Sequence, residues 1–277
     1  MKKTVYTLNI GDYAPEMMKM TMPLMKRWAD KIGADFFTIT ERKFPDFPEP
    51  YEKMQIHELS KKDGNDWNIF FDADALIHPD FWDVTEVLGK EITCSNGSDF
   101  IFNRFKTNNY FRRDGRWRIG KGNWCLIASD WCTDIWEPLD MTHKEAAEQI
   151  HPIAWEAAGG IDSKHLIDDF AVTRNICKYG LKHILIPELS ERVGAPQGYL
   201  WHEYSIPLDV KVFQMKSRVM TWAAMAAFPE FADAEKQKKV LGQVGGWTGT
   251  PDWDSYLDIN PDMKLIAETI KGWGIEL

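Results

Sequence analysis

Two aspartates, Asp72 and Asp74, end an apolar stretch of the chain and have the types and spacing needed for chemistry. The stretch Trp67–Phe71 has the length and composition of a buried strand, and a turn signal precedes it. A buried carboxylate needs a partner charge or a metal ion. Open α/β sheets bind ligands at the carboxyl ends of their strands, where both acids are expected to lie. Carboxylate oxygens suit Mg2+ or Mn2+, which take further ligands from substrate phosphates.

A structural alternative exists for the same tripeptide. Asp-x-Asp often caps a helix or lies in a solvated turn. The apolar run before the two acids, and the apolar residues 75–77 after them, favour a metal–diphosphate site.

A second pair of acids, Asp168 and Asp169, lies within an apolar pattern of helical spacing over residues 166–172. Adjacent helical residues point about 100° apart, so we expect at most one of the two to face the core or a cleft. The alternative is structural, because the helix dipole favours acids in a first turn.

Residues 66–77, Asp-Trp-Asn-Ile-Phe-Phe-Asp-Ala-Asp-Ala-Leu-Ile, resemble the DxD segment of GT-A glycosyltransferases. They are similar in particular to galactosyltransferases of the fungal mannan and plant xyloglucan type and to virus-encoded relatives. The resemblance implies an α/β fold of the GT-A (Rossmann-like) type, with a mostly parallel central sheet flanked by helices. It also implies that Asp72, Ala73 and Asp74 form the donor-binding segment. In that family the aspartates hold Mn2+ (or Mg2+), which clamps the diphosphate of a nucleotide-sugar.

The resemblance implies further donor-binding residues early in the chain. GT-A proteins contact the nucleoside with the loop after the first strand, which makes Thr7, Leu8, Asn9 and Tyr13 candidates. The alternative for Thr7 and Asn9 is that they only finish the strand. Lys53 stands where the family places a lysine that reaches the donor, although lysine is usually a solvated surface charge.

Residues 120–129 resemble a family strand of pattern N-x-G-x-x-L-I that faces the donor sugar, with Asn123 as its polar residue. Here the glycine precedes the asparagine. Asp168 and Asp169 stand where the family carries an acidic or amide pair on the acceptor side. In an inverting enzyme one of them would be the general base that deprotonates the acceptor hydroxyl. In a retaining enzyme it would steady the sugar or the developing positive charge.

The chain departs from the family at the third metal ligand. Many GT-A enzymes end their catalytic region with His-x-Lys-Gly-x-Arg, whose histidine binds the metal. Residues 212–218 have this shape with Gln214 in place of the histidine and a serine in place of the glycine. A glutamine oxygen is a permissible ligand, and His202 is the rival on ligand chemistry. Lys216 and Arg218 are retained as candidate clamps for the diphosphate.

The elements that must position these residues begin with a strand, a helix and a second strand. The sequence predicts strands over Thr4–Ile10 and Ala34–Thr40, with a helix from Pro15 that ends at Gly33. Such a unit makes a right-handed parallel crossover. No GxGxxG follows the first strand, which argues against an oxidoreductase of the Rossmann type.

Periodicity and turn signals predict the remaining elements. We expect an extended loop over residues 41–50, helices over 51–62, 130–136, 141–158, 218–228 and 263–273, and strands over 92–95, 99–102 and 181–187.

One basic patch interrupts an otherwise acidic chain. It contains Arg104, Lys106, Arg112, Arg113, Arg116 and Arg118, interleaved with Tyr110, Phe111 and Trp117. Such a mixture can bind polyanions or a membrane surface. A loop near the donor or acceptor phosphates and a solvated loop are the alternatives, and the absence of a helical face favours the solvated loop.

Length and composition indicate one large α/β domain over the 277 residues, with residues 219–277 as a C-terminal helical appendage. A net charge of −9 argues against a nucleic-acid partner. The four cysteines lack ligand-like spacing and are expected to be reduced thiols. No apolar run is long enough to cross a membrane, so we expect a cytoplasmic protein in a bacterial or viral setting, or a trimmed chain.

Together with the resemblance to GT-A glycosyltransferases, these observations predict a metal-dependent hexosyltransferase that moves a sugar from a UDP-sugar donor to a hydroxyl of a glycan or another acceptor. Two rivals remain. A sugar-phosphate nucleotidyltransferase would normally carry a glycine-rich basic loop after the first strand, and this chain has none. A catalytically idle carbohydrate-binding protein is consistent with thirteen tryptophans and the missing metal histidine.

Overall fold

The structure is a computed structural model that describes residues 1–11, 15–73, 75–77, 81–95, 112–113, 116–117, 124–149, 167–195 and 200–201. Its strands are β1 Lys3–Leu8, β2 Asp35–Ile39, β3 Trp67–Phe71, β4 Leu76–Ile77, β5 Ile92–Ser95, β6 Arg112–Arg113, β7 Arg116–Trp117, β8 Cys125–Ser129, β9 Lys182–Leu185 and β10 Leu200–Trp201. Its α-helices are α1 Pro15–Lys31, α2 Ile56–Asp63, α3 Ile167–Tyr179 and α4 Ile186–Val193, and residues 143–149 are also helical. Its 3-10 helices are Glu49–Gln55, Val84–Glu86 and Asp130–Trp136.

Six strands form one sheet in the order β2-β1-β3-β8-β5-β9. The pairs β1–β2, β1–β3 and β5–β9 are parallel, whereas β8 is antiparallel to both of its neighbours. The expectation of a mostly parallel sheet is therefore corrected to a mixed sheet. The inverted strand β8 ends at the edge of the sheet where β3 begins, so it delivers the next helix to that edge.

The predicted order of strand, helix and parallel second strand is confirmed. β1 and β2 pair in parallel from Thr4 with Asp35 to Leu8 with Ile39, and α1 connects them. Gly33 follows the helix with a φ of 67°, a left-handed conformation that glycine adopts without strain.

Two other predicted elements differ in type or length. The helix expected over residues 51–62 is a 3-10 helix followed by α2, with Pro48 at its N-cap and a proline in its first turn. The strand expected over residues 181–187 stops at Leu185, because Pro187 cannot donate to a ladder and instead lies in the first turn of α4, which begins at Ile186. The expected strand over 99–102 and the helices over 218–228 and 263–273 lie outside the described residues.

The chain divides into two compact units. Unit 1 comprises Met1–Gly11, Ala29–Ala73 and Trp82–Gln197, and it contains the six-stranded sheet. Unit 2 comprises Asp12–Trp28, Asp74–Phe81 and Gly198–Leu277, and it contains the antiparallel pair β4–β10.

One face of the sheet in unit 1 carries the main hydrophobic core. Tyr6, Phe70 and Leu126 are register partners on β1, β3 and β8, so their side chains lie on the same face. They form one buried cluster with residues of α3, of the 49–55 helix and of the 130–136 helix. This face is the one that the candidate site extends.

Other expectations concern thiols and membranes. The cysteines, Cys94, Cys125, Cys132 and Cys177, are buried free thiols. Burial raises the pKa of the Cys132 thiol. Within the described ranges, no helix combines the length and apolar composition needed to cross a bilayer.

Candidate active site at the carboxyl end of the central strand

The alternation of side chains along β3 decides where Asp72 points. Asp72 lies two residues beyond Phe70, so an extended chain brings its side chain to the core face of the sheet. Its backbone N–H donates to the carbonyl of Trp124, at 2.7 Å, which continues the pairing with the residues before β8 past the end of the strand. The first acid of the tripeptide is therefore a strand-end residue, and its side chain is partly buried.

Lys53 meets Asp72 on this face. Its side chain is completely buried, with 0% exposed surface. The ammonium Nζ donates to Asp72 Oδ1 at 3.0 Å and pairs with Asp168 Oδ2 at 2.7 Å. It also lies 4.6 Å from the centre of the Phe70 ring, a distance typical of a cation–π contact. The alternative of a solvated surface lysine is thereby excluded.

The charges of this cluster compensate one another. Burial by itself lowers the pKa of Lys53, because it disfavours the charged ammonium. The carboxylates of Asp168 and Asp72, with a smaller contribution from Asp169, outweigh that effect and raise the pKa above its usual range. The lysine is therefore a permanent buried cation that connects the end of β3 with the start of α3.

The 49–55 helix that carries Lys53 is held rigidly. Glu52 is fully buried and accepts hydrogen bonds from Arg42 Nε at 2.8 Å and from the backbone N–H of Phe44 at 3.0 Å. Tyr51 Oη accepts from the N–H of Leu139 at 2.6 Å, and burial raises the pKa of Tyr51 to about 12. These contacts anchor Tyr51 and Glu52, the two residues that precede Lys53 on the helix presenting the ammonium to Asp72.

Asp168 and Asp169 open α3 and are both buried, with 6% and 8% of their surfaces exposed. The expectation that at most one of them faces inward is wrong. α3 is buried on all sides from Ile167 to Cys177, so directions 100° apart both lead into the protein. Among the described residues, Asp168 Oδ1 is buried and has no hydrogen-bond partner.

The end of β1 carries the candidate nucleoside contacts. Thr7 lies within β1 and is fully buried, and Leu8 is its last residue. Asn9 continues the pairing through a bond from its N–H to the carbonyl of Ile39 at 2.9 Å. Thr7 Oγ1 and Asn9 Oδ1 are buried and find no hydrogen-bond partner in the part of the chain that the structure describes. Their backbones finish a strand, in agreement with the structural alternative for Thr7 and Asn9.

Of the remaining candidate site residues, the structure describes one and leaves the others outside the described ranges. Ala73 lies in the turn after Asp72 and is partly exposed. The other candidates, Tyr13, Asp74, Asn123, His202, Gln214, Lys216 and Arg218, lie outside the described residues.

A divalent ion fits the chemistry of Asp72, because carboxylate oxygens are the ligands that Mg2+ and Mn2+ prefer. The described residues contain no group of three or more acidic, histidine or cysteine side chains arranged to hold a metal. A complete ligand set would therefore need the undescribed candidates, of which Asp74 is nearest in sequence.

Sequence reasoning missed the link between the two acidic motifs. The sequence indicates Lys53 and Asp168 as separate candidates, because no periodicity or spacing pairs residues so far apart. It also missed Glu52, the buried acid that holds the loop before the 49–55 helix. The available signal was the proline-rich loop itself, whose free backbone N–H groups need an acceptor.

The basic patch contains two short strands that pair antiparallel. β6 pairs with β7 so that Arg112 opposes Trp117 and Arg113 opposes Arg116. These four residues are therefore paired strand residues rather than loop, and the rest of the patch lies outside the described residues.

No family model and no curated protein matches the chain. Among solved structures, it is similar to a glycosyltransferase involved in the glycosylation of the major capsid of PBCV-1, with 11% identity, a TM-score of 0.42 and coverage of 79% of this chain and 98% of the other. It is also similar to the galactosyltransferase LgtC in complex with donor and acceptor sugar analogs, with 12% identity, a TM-score of 0.40 and coverage of 90% and 98%. At these identities and TM-scores, the function has to be inferred from the chain's own residues.

Proposed function

We propose that this chain is a metal-dependent glycosyltransferase of the GT-A type, which moves a hexose from a UDP-sugar donor to a hydroxyl of a glycan or another acceptor. The observation that carries the proposal is the buried ammonium of Lys53 between the strand-end Asp72 and the helix-start Asp168. This cluster occupies the edge of the sheet where α/β proteins bind their ligands.

A purely structural role explains this cluster poorly. Buried ion pairs usually stabilise a fold no more than apolar side chains of similar volume, because desolvation offsets their attraction. Here three charged groups and the unpartnered Asp168 Oδ1 are kept together beside an apolar core. Buried charges that perturb one another at a ligand-binding edge are typical of functional sites.

The metal site would be formed by Asp72 and Asp74, with Gln214 or His202 as the third protein ligand. The bound Mn2+ would supply Lewis-acid stabilisation of the departing diphosphate. Lys53 bonds to Asp72 Oδ1 and thereby fixes the rotamer of that carboxylate before donor binding.

The donor would be held by residues from several parts of the chain. Thr7 Oγ1 and Asn9 Oδ1 are buried polar atoms that need partners, and a nucleoside at the end of β1 would supply them. Leu8 and Tyr13 would add contacts to the base. Lys216 and Arg218 would offset the charge of the leaving UDP, and Asn123 would face the sugar.

Asp168 would serve the reacting sugars, with Asp169 as the alternative. Its Oδ2 is held by Lys53 while its Oδ1 can accept a hydrogen bond from a substrate hydroxyl. In an inverting reaction this oxygen would take the proton of the acceptor hydroxyl. In a retaining reaction it would orient the sugar and balance the positive charge that develops on it.

Replacement of Asp74 by Asn tests the proposal. We expect the wild type to bind UDP in a Mn2+-dependent manner and to release UDP from a UDP-hexose, and the variant to lose both. Isothermal calorimetry with UDP, with and without Mn2+, measures binding independently of turnover. Asp66→Asn is the matched control, since Asp66 lies at the other end of β3, and it should behave as wild type.

Two results would contradict the proposal. Mn2+-independent UDP binding that survives Asp74→Asn would exclude the metal site. Sugar binding without any UDP release would instead identify an idle carbohydrate-binding protein, the rival function.

A further inference from the structure

Trp131 is exposed at the edge of the sheet opposite Asp72. It lies next to Asp130, which follows β8 at the edge where β3 begins. Its side chain is 68% exposed, whereas Trp67, Trp124 and Trp136 are at most 3% exposed. Leaving so large an apolar ring in water forgoes stabilisation that burial would provide.

The exposed ring is held on a rigid support. Trp131 belongs to the 130–136 helix. Its backbone N–H donates to Ser129 Oγ at 3.1 Å, and Ser129 is the N-cap residue of this helix. Ile135 and Trp136 of the same helix are fully buried and anchor it to the core. The backbone at Trp131 is therefore fixed, which lowers the entropy lost when a ligand contacts the ring.

Polar groups lie on the same side of this helix. In a 3-10 helix residues i and i+3 eclipse each other, so Asp134 shares a face with Trp131. Asp134 Oδ1 lies 3.2 Å from His57 Nε2 and 3.6 Å from Lys61 Nζ. Asp134 and Lys61 are 43% and 53% exposed, so both side chains are accessible to a ligand from solvent.

The geometry points to a binding subsite for one hexose unit of a neutral glycan, formed by Trp131, Asp134 and Lys61 and separate from the Lys53 cluster. The indole offers a flat apolar surface for the C–H face of a pyranose. A sugar hydroxyl donates and accepts, so it can donate to Asp134 and accept from Lys61 at once. His57 Nε2 cannot take the place of this sugar hydroxyl. The single nitrogen can either donate to Asp134 or accept from Lys61 Nζ, which lies 2.8 Å away, but it cannot do both.

The charges favour a neutral hydroxyl-rich ligand over other partners. An anionic ligand would meet Asp134, Asp130 and a chain of net charge −9. A membrane or an apolar peptide would desolvate the charged groups next to the ring without pairing them. The subsite goes beyond the proposed transferase activity, since none of its residues belongs to that machinery.

Trp131→Ala tests the subsite with two defined probes, a β-1,4-linked glucose hexamer and a β-1,4-linked galactose hexamer. We expect at least one hexamer to bind the wild-type protein, measured by calorimetry and by tryptophan fluorescence. Trp131→Ala should weaken its affinity at least about tenfold, because aromatic packing and burial of the ring are lost. Trp131→Phe should keep part of the affinity.

Two further variants control for fold and position. Asp134→Ala should also weaken binding, since it removes the hydroxyl acceptor. Phe37→Ala removes another exposed aromatic ring, 42% exposed on the edge strand β2, and should leave binding unchanged. UDP release from a UDP-hexose should be unaffected by Trp131→Ala, so failure of the transferase proposal and failure of the subsite are separate results.

Three outcomes would overturn the subsite. The first is that neither hexamer binds the wild-type protein. The second is that Trp131→Ala binds a hexamer as tightly as the wild type does. The third is that the wild type, but not Trp131→Ala, sediments as a dimer and binds no sugar. The last result would identify Trp131 as a contact between two copies of the chain.

Discussion

The two ends of β3 carry the same chemical arrangement in opposite environments. Asp66 precedes the strand and Asp72 follows it. Asp72 Oδ1 bonds to the Lys53 ammonium at 3.0 Å, and Asp66 Oδ1 bonds to the Lys90 ammonium at 3.2 Å. The lengths are nearly equal, so geometry does not distinguish the two pairs.

Each lysine also holds a second aspartate. Lys53 pairs with Asp168 at 2.7 Å, and Lys90 pairs with Asp130 at 3.1 Å. The side chain of Lys53 is 0% exposed, whereas that of Lys90 is 34% exposed. Burial is therefore the property that separates a candidate active site from an ordinary surface cluster.

The pKa shifts of the two lysines have different origins. The hydrogen bonds to Asp130 and Asp66 raise the pKa of Lys90, with burial a minor opposing effect. Burial is the largest influence on the pKa of Lys53, and it opposes the carboxylates that raise it. The surface cluster can exchange its partners for water. The buried cluster cannot, so each of its charges depends on the others.

The largest expected difference is in stability. Lys53→Met leaves buried carboxylates without their cation, so we expect the free energy of unfolding to fall by about 3–5 kcal/mol. Lys90→Met is the matched control and should change stability little, because water replaces the exposed ammonium. Chemical denaturation of both variants measures the difference. Similar losses in the two variants would show that burial does not distinguish the clusters.

The next difference is in activity and rests on the proposed function. Asp168→Asn removes the charged oxygen available to substrate while an amide fills its place. We expect the turnover number for UDP release from a UDP-hexose to fall at least about 100-fold. Asp130→Asn makes the same change in the surface cluster and should not alter turnover. Equal turnover in Asp168→Asn and wild type, with UDP binding intact, would remove Asp168 from the reaction.

A smaller effect on stability is expected at acidic pH. The N–H of Lys2 and the Lys90 ammonium hold the pKa of Asp66 below its ordinary value. The stability from this carboxylate is therefore complete above its unfolded-state pKa, about 3.9, and is lost as the pH falls through the lower folded-state pKa. We expect the melting temperature of Asp66→Asn to lie below that of wild type at neutral pH and to converge with it in acid. A difference that does not shrink as the pH falls would contradict this assignment.

The smallest effect is the response to salt. The Debye length shrinks from about 10 Å at 0.1 M salt to about 3 Å at 1 M, which screens exposed charges but not buried ones. Any loss of stability in Lys90→Met should therefore disappear at high salt. The loss in Lys53→Met should persist. Melting temperatures of both variants at the two salt concentrations test this, and equal salt responses would contradict the comparison.

Local features of the sequence determined many of the strands and helices that position the candidate site. The apolar run before Asp72 defined β3, and proline and glycine marked the two ends of α1, because strand burial and helix termini depend on neighbouring residues. The same local signals placed Asp72 at a strand end and Asp168 within a helical segment, and the structure shows that Asp168 lies in the first turn of that helix. Their chemical roles, and those of Asp74 and the later candidates, stay predictions.

Only the tertiary structure decided which of these residues meet. No local pattern foretells that β8 is inverted, because strand direction is set by how distant segments pair. No local pattern predicts that α3 is buried on all sides, and this burial places the side chains of both Asp168 and Asp169 in the protein interior. The burial of Lys53 between Asp72 and Asp168 follows from the packing of three separate elements. A sequence specifies which charges exist, but their energies depend on the solvent that the fold removes around them.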